Sequence, residues 1–179
     1  MLRITDNGNS EYVIIIRKNH SASEKTAAEE LAAYLKKITD AEIPVKTDDE
    51  KKTDHEIVIG FTNRGGKGKK ELGEEGFTIK TEGKRLFILG SEVRGALYGV
   101  YSFLEKCCGC RFYTDTCERV PQMNMLTVPE IDCTELPGFE YRNVYWFAQG
   151  GEMISAKLKN NGGMGHELTE RVGGGINYI

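Results

Sequence analysis

Residues 12–18 (YVIIIRK) and 55–61 (HEIVIGF) carry apolar, mostly β-branched side chains at consecutive positions. A strand with one wet face would alternate, so unbroken runs of this length read as strands buried on both faces. Between them the pattern changes to helical period: Ala28, Leu31, Ala32, Leu35 and Ile38 fall on one stripe. Ser21 and Glu24 have capping-box spacing at the start of that helix, and Lys36 and Lys37 near its end suit the helix dipole. Residues 42–47 (EIPVKT) read as an edge strand, because Pro44 cannot donate to a ladder. Residues 76–90 (GFTIKTEGKRLFILG) read as a hairpin. Phe77 and Ile79 alternate with Thr78 and Lys80, Glu82 and Gly83 supply the turn, and residues 86–89 form an inner strand.

A second helix follows in SEVRGALYGVYSFLEKCCGCRFY, residues 91–113, with Ser91 as the expected N-cap. Val93, Ala96, Leu97, Val100 and Leu104 make its apolar stripe, and Gly109 stops it. It also contains Gly95 and Gly99, each unfavourable by about 1 kcal/mol relative to alanine in a helix. Four residues apart, they share one side, and a smooth strip lets a helix approach a sheet closely. A ligand lying against the glycines is the alternative. Beyond the helix come a short strand (CRFY), extended pieces at Val120–Pro121 and MLTVP, and a proline-led linker into the β-prone FEYRNVYWF. The order β-α-β-β-β-β-α-β predicts an α+β chain: a single mixed or mostly antiparallel sheet with two helices packed on one face.

A net charge of −3 gives no sign of a nucleic-acid partner, and no apolar run is long enough to cross a membrane. The polar start, MLRITDNGNSEY, lacks a secretory signal, and five cysteines, an odd number, do not form a disulfide scaffold. Both favour the cytoplasm, unless an export signal lies outside this sequence. Cys107 and Cys110 make one C-x-x-C knuckle, with Cys117 and Cys133 beyond it. Zinc usually takes two such knuckles or added histidines, and His20, His55 and His166 are distant in sequence. A redox pair wants its first cysteine at a helix N-terminus, whereas Cys107 follows the helix. The thiols therefore read as buried, no cofactor is expected, and zinc at Cys107, Cys110 and Cys117 is kept as the alternative.

The loop NRGGKGKKELGEEG places Arg64, Lys67, Lys69 and Lys70 among glycines but matches no phosphate-loop pattern, and reads as a solvated loop. Neighbouring carboxylates, Glu29 with Glu30 and Glu74 with Glu75, point apart on a helix and read as solvated faces. No complete catalytic constellation emerges. FEYRNVYWF interleaves aromatics with Arg142, the usual material of a sugar subsite. A core strand with one snorkelling arginine fits the same pattern.

Taken in order, AAEELAAYLKKITDAEIPV, EIVIGFTN, LGEEGFTIKTEGKRLFILG, GALYGVYSFLE, GCRFYTD and LPGFEYRNVYW resemble the N-terminal domain that precedes the catalytic barrel in certain glycoside hydrolases. The similarity is to bacterial α-glucuronidase-like proteins and, more distantly, to β-N-acetylhexosaminidases. It implies a small sheet with two helices over residues 1–136, then over 137–179 the first strand and helix of a (β/α) barrel. FEYRNVYW corresponds to the strand and GGEMISAKLKNNGG to the helix. In the hexosaminidases the arginine of the corresponding strand contacts the terminal sugar. The resemblance thus implies substrate binding by Arg142, with Tyr145 and Trp146 beside it, although Asn143 stands where those enzymes have glycine. A barrel takes about 250 residues, far more than follow Pro137. The acid and base carboxylates are accordingly expected outside this sequence, leaving the chain inactive alone. Its partner would be the catalytic barrel of a parent protein; the alternative is a free-standing carbohydrate-binding or dimerising module. Residues 148–179 are expected to be disordered or to cover the surface where a barrel would dock.

Overall fold

The computed structural model describes residues 1–65, 71–149, 151–163 and 167–176. Ten strands appear among them: β1 (Leu2–Asp6), β2 (Val13–Ile16), β3 (Val45–Thr47), β4 (Glu56–Ile59), β5 (Phe77–Glu82), β6 (Arg85–Gly90), β7 (Arg111–Phe112), β8 (Glu118–Arg119), β9 (Met125–Val128) and β10 (Asp132–Glu135). The α-helices are α1 (Ala22–Thr39), α2 (Gly95–Lys106) and α3 (Glu152–Lys157). The main sheet has six strands in the order β10-β5-β6-β4-β2-β3. β3, β2, β4 and β6 run parallel, and β5 and β10 add antiparallel pairs. β1 pairs with β9 and β7 with β8 in separate two-stranded ribbons. The expected α+β class with one principal mixed sheet is what the chain adopts. Among the described residues no helix is long and apolar enough to cross a membrane.

The period of two in the strands sorts side chains between two cores. Ile14, Ile16, Ile57, Ile59, Ile79 and Ile88 join the helix residues Leu31, Leu35, Leu97 and Leu104 in the larger cluster. Val13, Ile15, Val58, Phe87 and Leu89 form a second cluster. The unbroken apolar runs thus belong to strands buried on both faces. Both α1 and α2 pack in the larger cluster, as expected.

Helix α1 begins with the predicted capping box. Ser21 Oγ accepts from the Glu24 amide at 3.1 Å, and the Glu24 carboxylate accepts from the Ser21 amide at 2.8 Å. Arg17 Nε donates to the same carboxylate at 2.8 Å, which is why Glu24 can be buried. Helix α2 starts three residues later than an N-cap at Ser91 predicts, with Arg94 in the cap position. Its first amides do not need a side-chain cap, because the Glu74 carbonyl accepts from the amides of Arg94 (3.1 Å) and Gly95 (2.9 Å). Ser91 Oγ donates to that carbonyl too, at 2.5 Å.

This docking explains the helical glycines. A Cβ on Gly95 would stand 2.5 Å from the Gly76 carbonyl oxygen, and one on Gly99 would stand 2.7 Å from a methyl of Ile88. The strip faces β5 and β6, so close packing, not a ligand, occupies it.

The basic loop differs from expectation at Arg64. Its guanidinium is buried, donating to the Glu50 carbonyl at 2.6 Å and lying 3.2 Å from the fully buried Glu56 carboxylate. Lys67, Lys69 and Lys70, read with it as solvated, lie outside the described residues. Residues 139–147 (FEYRNVYWF), expected as a strand, pair with no other strand among the described residues. β propensity alone does not make a strand without a ladder partner, and among the described residues none lies beside this segment. Beyond them, Ile154, Ala156, Leu168 and Val172 join the larger core cluster.

Candidate functional site

Where the start of α2 meets the end of the sheet, the stretches around Arg142 and Lys159 close over Glu75 and leave a cleft of about 250 Å³. Its lining includes Phe77, Tyr98, Leu136, Arg142 and Lys159. Glu75 is 7% exposed, not the solvated carboxylate its sequence position suggested. One of its oxygens accepts from Arg94 Nε at 2.8 Å and from Asn161 Nδ2 at 2.7 Å, and the other from Arg142 Nη2 at 2.5 Å. Arg94, also buried, donates to Glu74 at 2.8 Å and to the Gly173 carbonyl at 3.0 Å. Three charge-assisted donors on one carboxylate make this a satisfied buried ionic network. The cleft's second carboxylate, Glu135, accepts from Lys106 at 2.6 Å. Burial raises the Tyr98 phenol well above its ordinary pKa, with the Glu75 charge adding to the shift. Its hydroxyl donates to the Asn160 carbonyl at 3.0 Å.

The three residues predicted to bind sugar fall into two environments. Arg142 turns inward: besides Glu75, it donates through Nε to the Lys159 carbonyl at 2.8 Å and through Nη1 to the Phe139 carbonyl at 2.5 Å. Tyr145 and Trp146 are 72% and 56% exposed, and the same short segment exposes Leu136 (55%) and Phe139 (76%). Four large apolar side chains facing water so close together in sequence exceed the scattered exposure usual on a monomer.

A second cluster seats the helix that follows. Lys157 of α3 lies 5.2 Å from the ring centroids of both Tyr34 and Phe112 and donates to Glu118 at 3.1 Å. Tyr34 and Lys37 donate to the same carboxylate. Burial pushes the Glu118 carboxyl up, but these hydrogen bonds outweigh it and hold the group below its ordinary pKa.

Cys107, Cys110 and Cys117 do not come together as ligands: among the described residues no group of three or more His, Cys, Asp or Glu could hold a metal. Burial raises the Cys107 thiol and pushes Cys110 up to about 11, so both stay protonated at neutral pH.

Glu75, Arg94 and Asn161 were not legible as a site. The available signal was Arg94 itself, a charge placed at the mouth of an otherwise apolar, glycine-lined helix, which needs a buried counter-charge.

The sequence model of the glycosyl hydrolase family 67 N-terminus matches residues 3–103. Among solved structures, a family GH115 4-O-methyl-α-glucuronidase with specificity for decorated arabinogalactans is 14% identical. The match covers 90% of this chain and 25% of that one, with a TM-score of 0.62. The GH20 β-N-acetylhexosaminidase from Streptomyces coelicolor A3(2) is 16% identical over 79% of this chain and 24% of that one, with a TM-score of 0.50. At such identities the likeness is one of fold. The chain spans about a quarter of the length of either enzyme. Comparison with curated protein sequences found no match.

Proposed function

The chain belongs to the glycosyl hydrolase family 67 N-terminus family, and we propose that it serves as a non-catalytic accessory domain of an α-glucuronidase-type glycoside hydrolase. The exposed run of Leu136, Phe139, Tyr145 and Trp146 carries this reading. Large aromatics on one short segment are the raw material of a protein interface, and the segment follows directly on the last strand of the sheet. The carboxylates of the adjacent cleft support a supporting role over a catalytic one. Hydrolysis of a glycosidic bond needs one carboxyl free to give a proton and another free to attack or activate water, whereas Glu75 and Glu135 are engaged by cationic donors.

In this proposal a catalytic barrel docks on the 136–146 segment. Tyr145 and Trp146 border its sugar-binding cleft, and Arg142 holds them in place. Calorimetric titration into a family 67 catalytic barrel prepared without its own N-terminal domain tests the docking. Binding with a negative heat-capacity change, abolished by Phe139→Ser, Tyr145→Ser and Trp146→Ser together, is expected. Absence of binding, or binding indifferent to the triple substitution, contradicts it.

A further inference from the structure

Residues 138–146 are held in place although none of them is fully buried. Among the described residues no strand ladder fixes them, and no side chain from Gly138 to Trp146 belongs to either core cluster. Core burial, the usual means of fixing a segment, therefore contributes little to placing the exposed aromatics. Polar contacts run from the segment to Lys159, Asn161 and Gly162, and the two side chains that carry most of them, Arg142 and Asn161, meet at one buried carboxylate.

We propose that Glu75 is the positioning residue of the aromatic segment, acting as an ionic latch through Arg142 and Asn161. The Arg142 guanidinium spans Glu75, the Phe139 carbonyl and the Lys159 carbonyl, so it sets the separation between two stretches of backbone. Asn161 repeats the device. Its Nδ2 donates to Glu75 and to the Glu140 carbonyl at 2.6 Å, its Oδ1 accepts from the Arg142 amide at 2.8 Å, and its own amide donates to the Arg142 carbonyl at 3.0 Å. The side-chain bonds among these run through Arg142 and Asn161, the two side chains that Glu75 accepts from, while the amides of Asn161 and Gly162 add two backbone bonds to the Arg142 carbonyl. Arg94 fixes Glu75 from the core side and itself reaches the carbonyls of Gly173 and Gly174. One buried carboxylate thus ties the sheet and α2 to the chain on both sides of α3. The latch stands on this geometry alone and holds whether or not a catalytic domain docks on the segment.

The test uses the full chain with Glu75→Gln. The amide keeps the shape but presents hydrogens toward an arginine or asparagine donor, so at least one leg of the latch opens. Hydrogen exchange by mass spectrometry is expected to quicken roughly tenfold or more across residues 139–146, while α1 and β2 exchange as in the parent chain. Trp146 is the sole tryptophan, so its emission should shift to the red and lose anisotropy in step. Should Glu75→Gln prevent folding, Arg142→Gln removes the outer leg only and leaves the Glu75–Arg94 pair intact. It is expected to give the same localised exchange. Exchange over 139–146 that matches the parent chain in the folded variants, or that rises evenly through α1 and β2 as well, overturns the proposal.

Discussion

Gly95→Val should destabilise the domain by about 3 kcal/mol or more, and even Gly95→Ala should be destabilising. In an isolated helix the alanine would gain about 1 kcal/mol. Here the new Cβ would sit 2.5 Å from the Gly76 carbonyl oxygen and 3.2 Å from the Gly90 Cα. Both neighbours are backbone, one leading into β5 and the other ending β6, so neither can swing away as a side chain does. Overpacking of this kind typically costs about 1–3 kcal/mol, and more for larger groups. Movement of α2 off the sheet would also break the Glu74 carbonyl contacts that satisfy its first amides. Gly99→Ala meets a side-chain methyl of Ile88 at 2.7 Å, which can shift, so its loss should be clearly smaller. Urea midpoints for the three variants give the comparison. A Gly95→Ala protein stabilised by the full helical propensity would show that the close approach of helix and sheet is not as described.

Glu56→Ala should lower stability by roughly 3–5 kcal/mol, the range for removing one partner from a buried ionic cluster. Glu56 is 0% exposed on β4. Its oxygens lie 3.2 Å from Arg64 Nε and 3.1 Å from Arg85 Nε, and one accepts from the Thr53 amide at 2.9 Å. Alanine would leave the buried Arg64 charge facing a void. If the charges are responsible, Glu56→Leu combined with Arg64→Met should recover part of the loss, because an apolar pair of similar volume replaces the buried Glu56–Arg64 pair at little cost, while the partly exposed Arg85 still loses its carboxylate. Thermal unfolding of the single and double variants decides this. A single variant within about 1 kcal/mol of the parent would contradict the burial of Glu56.

Most of the fold was legible in the sequence. The β-branched runs marked β2 and β4, the spacing of Ser21 and Glu24 marked the start of α1, and the alternation from Phe77 marked the β5–β6 hairpin. Strand β10 was not legible, because Asp132, Cys133, Thr134 and Glu135 carry no apolar pattern. It is an edge strand recognised through tertiary pairing, with Thr134 bonded to Thr78 at 2.9 Å. The start of α2 was misplaced because a carbonyl from a distant loop replaces the side-chain cap. FEYRNVYWF misled for a related reason: β propensity describes fitness for a pleated, half-buried surface, and among the described residues this segment meets no neighbouring strand.

The candidate site was legible only in outline. The unusual aromatic content around Arg142 marked the segment that lies beside the cleft. The inward turn of Arg142 depends on Glu75, sixty-seven positions away, and no local pattern announces such a pairing. Adjacent carboxylates ordinarily face solvent, and only the third dimension separates the exposed Glu74 from the buried Glu75.

Initial rates of aryl α-glucuronide and aryl N-acetyl-β-glucosaminide hydrolysis by the purified 179-residue chain separate an accessory domain from an enzyme. For an accessory domain, rates equal to the buffer blank are expected from about pH 4 to 8, where paired catalytic carboxyls would operate. Turnover above the blank that disappears with Glu75→Gln or Glu135→Gln would place the reaction within this chain and contradict an accessory role.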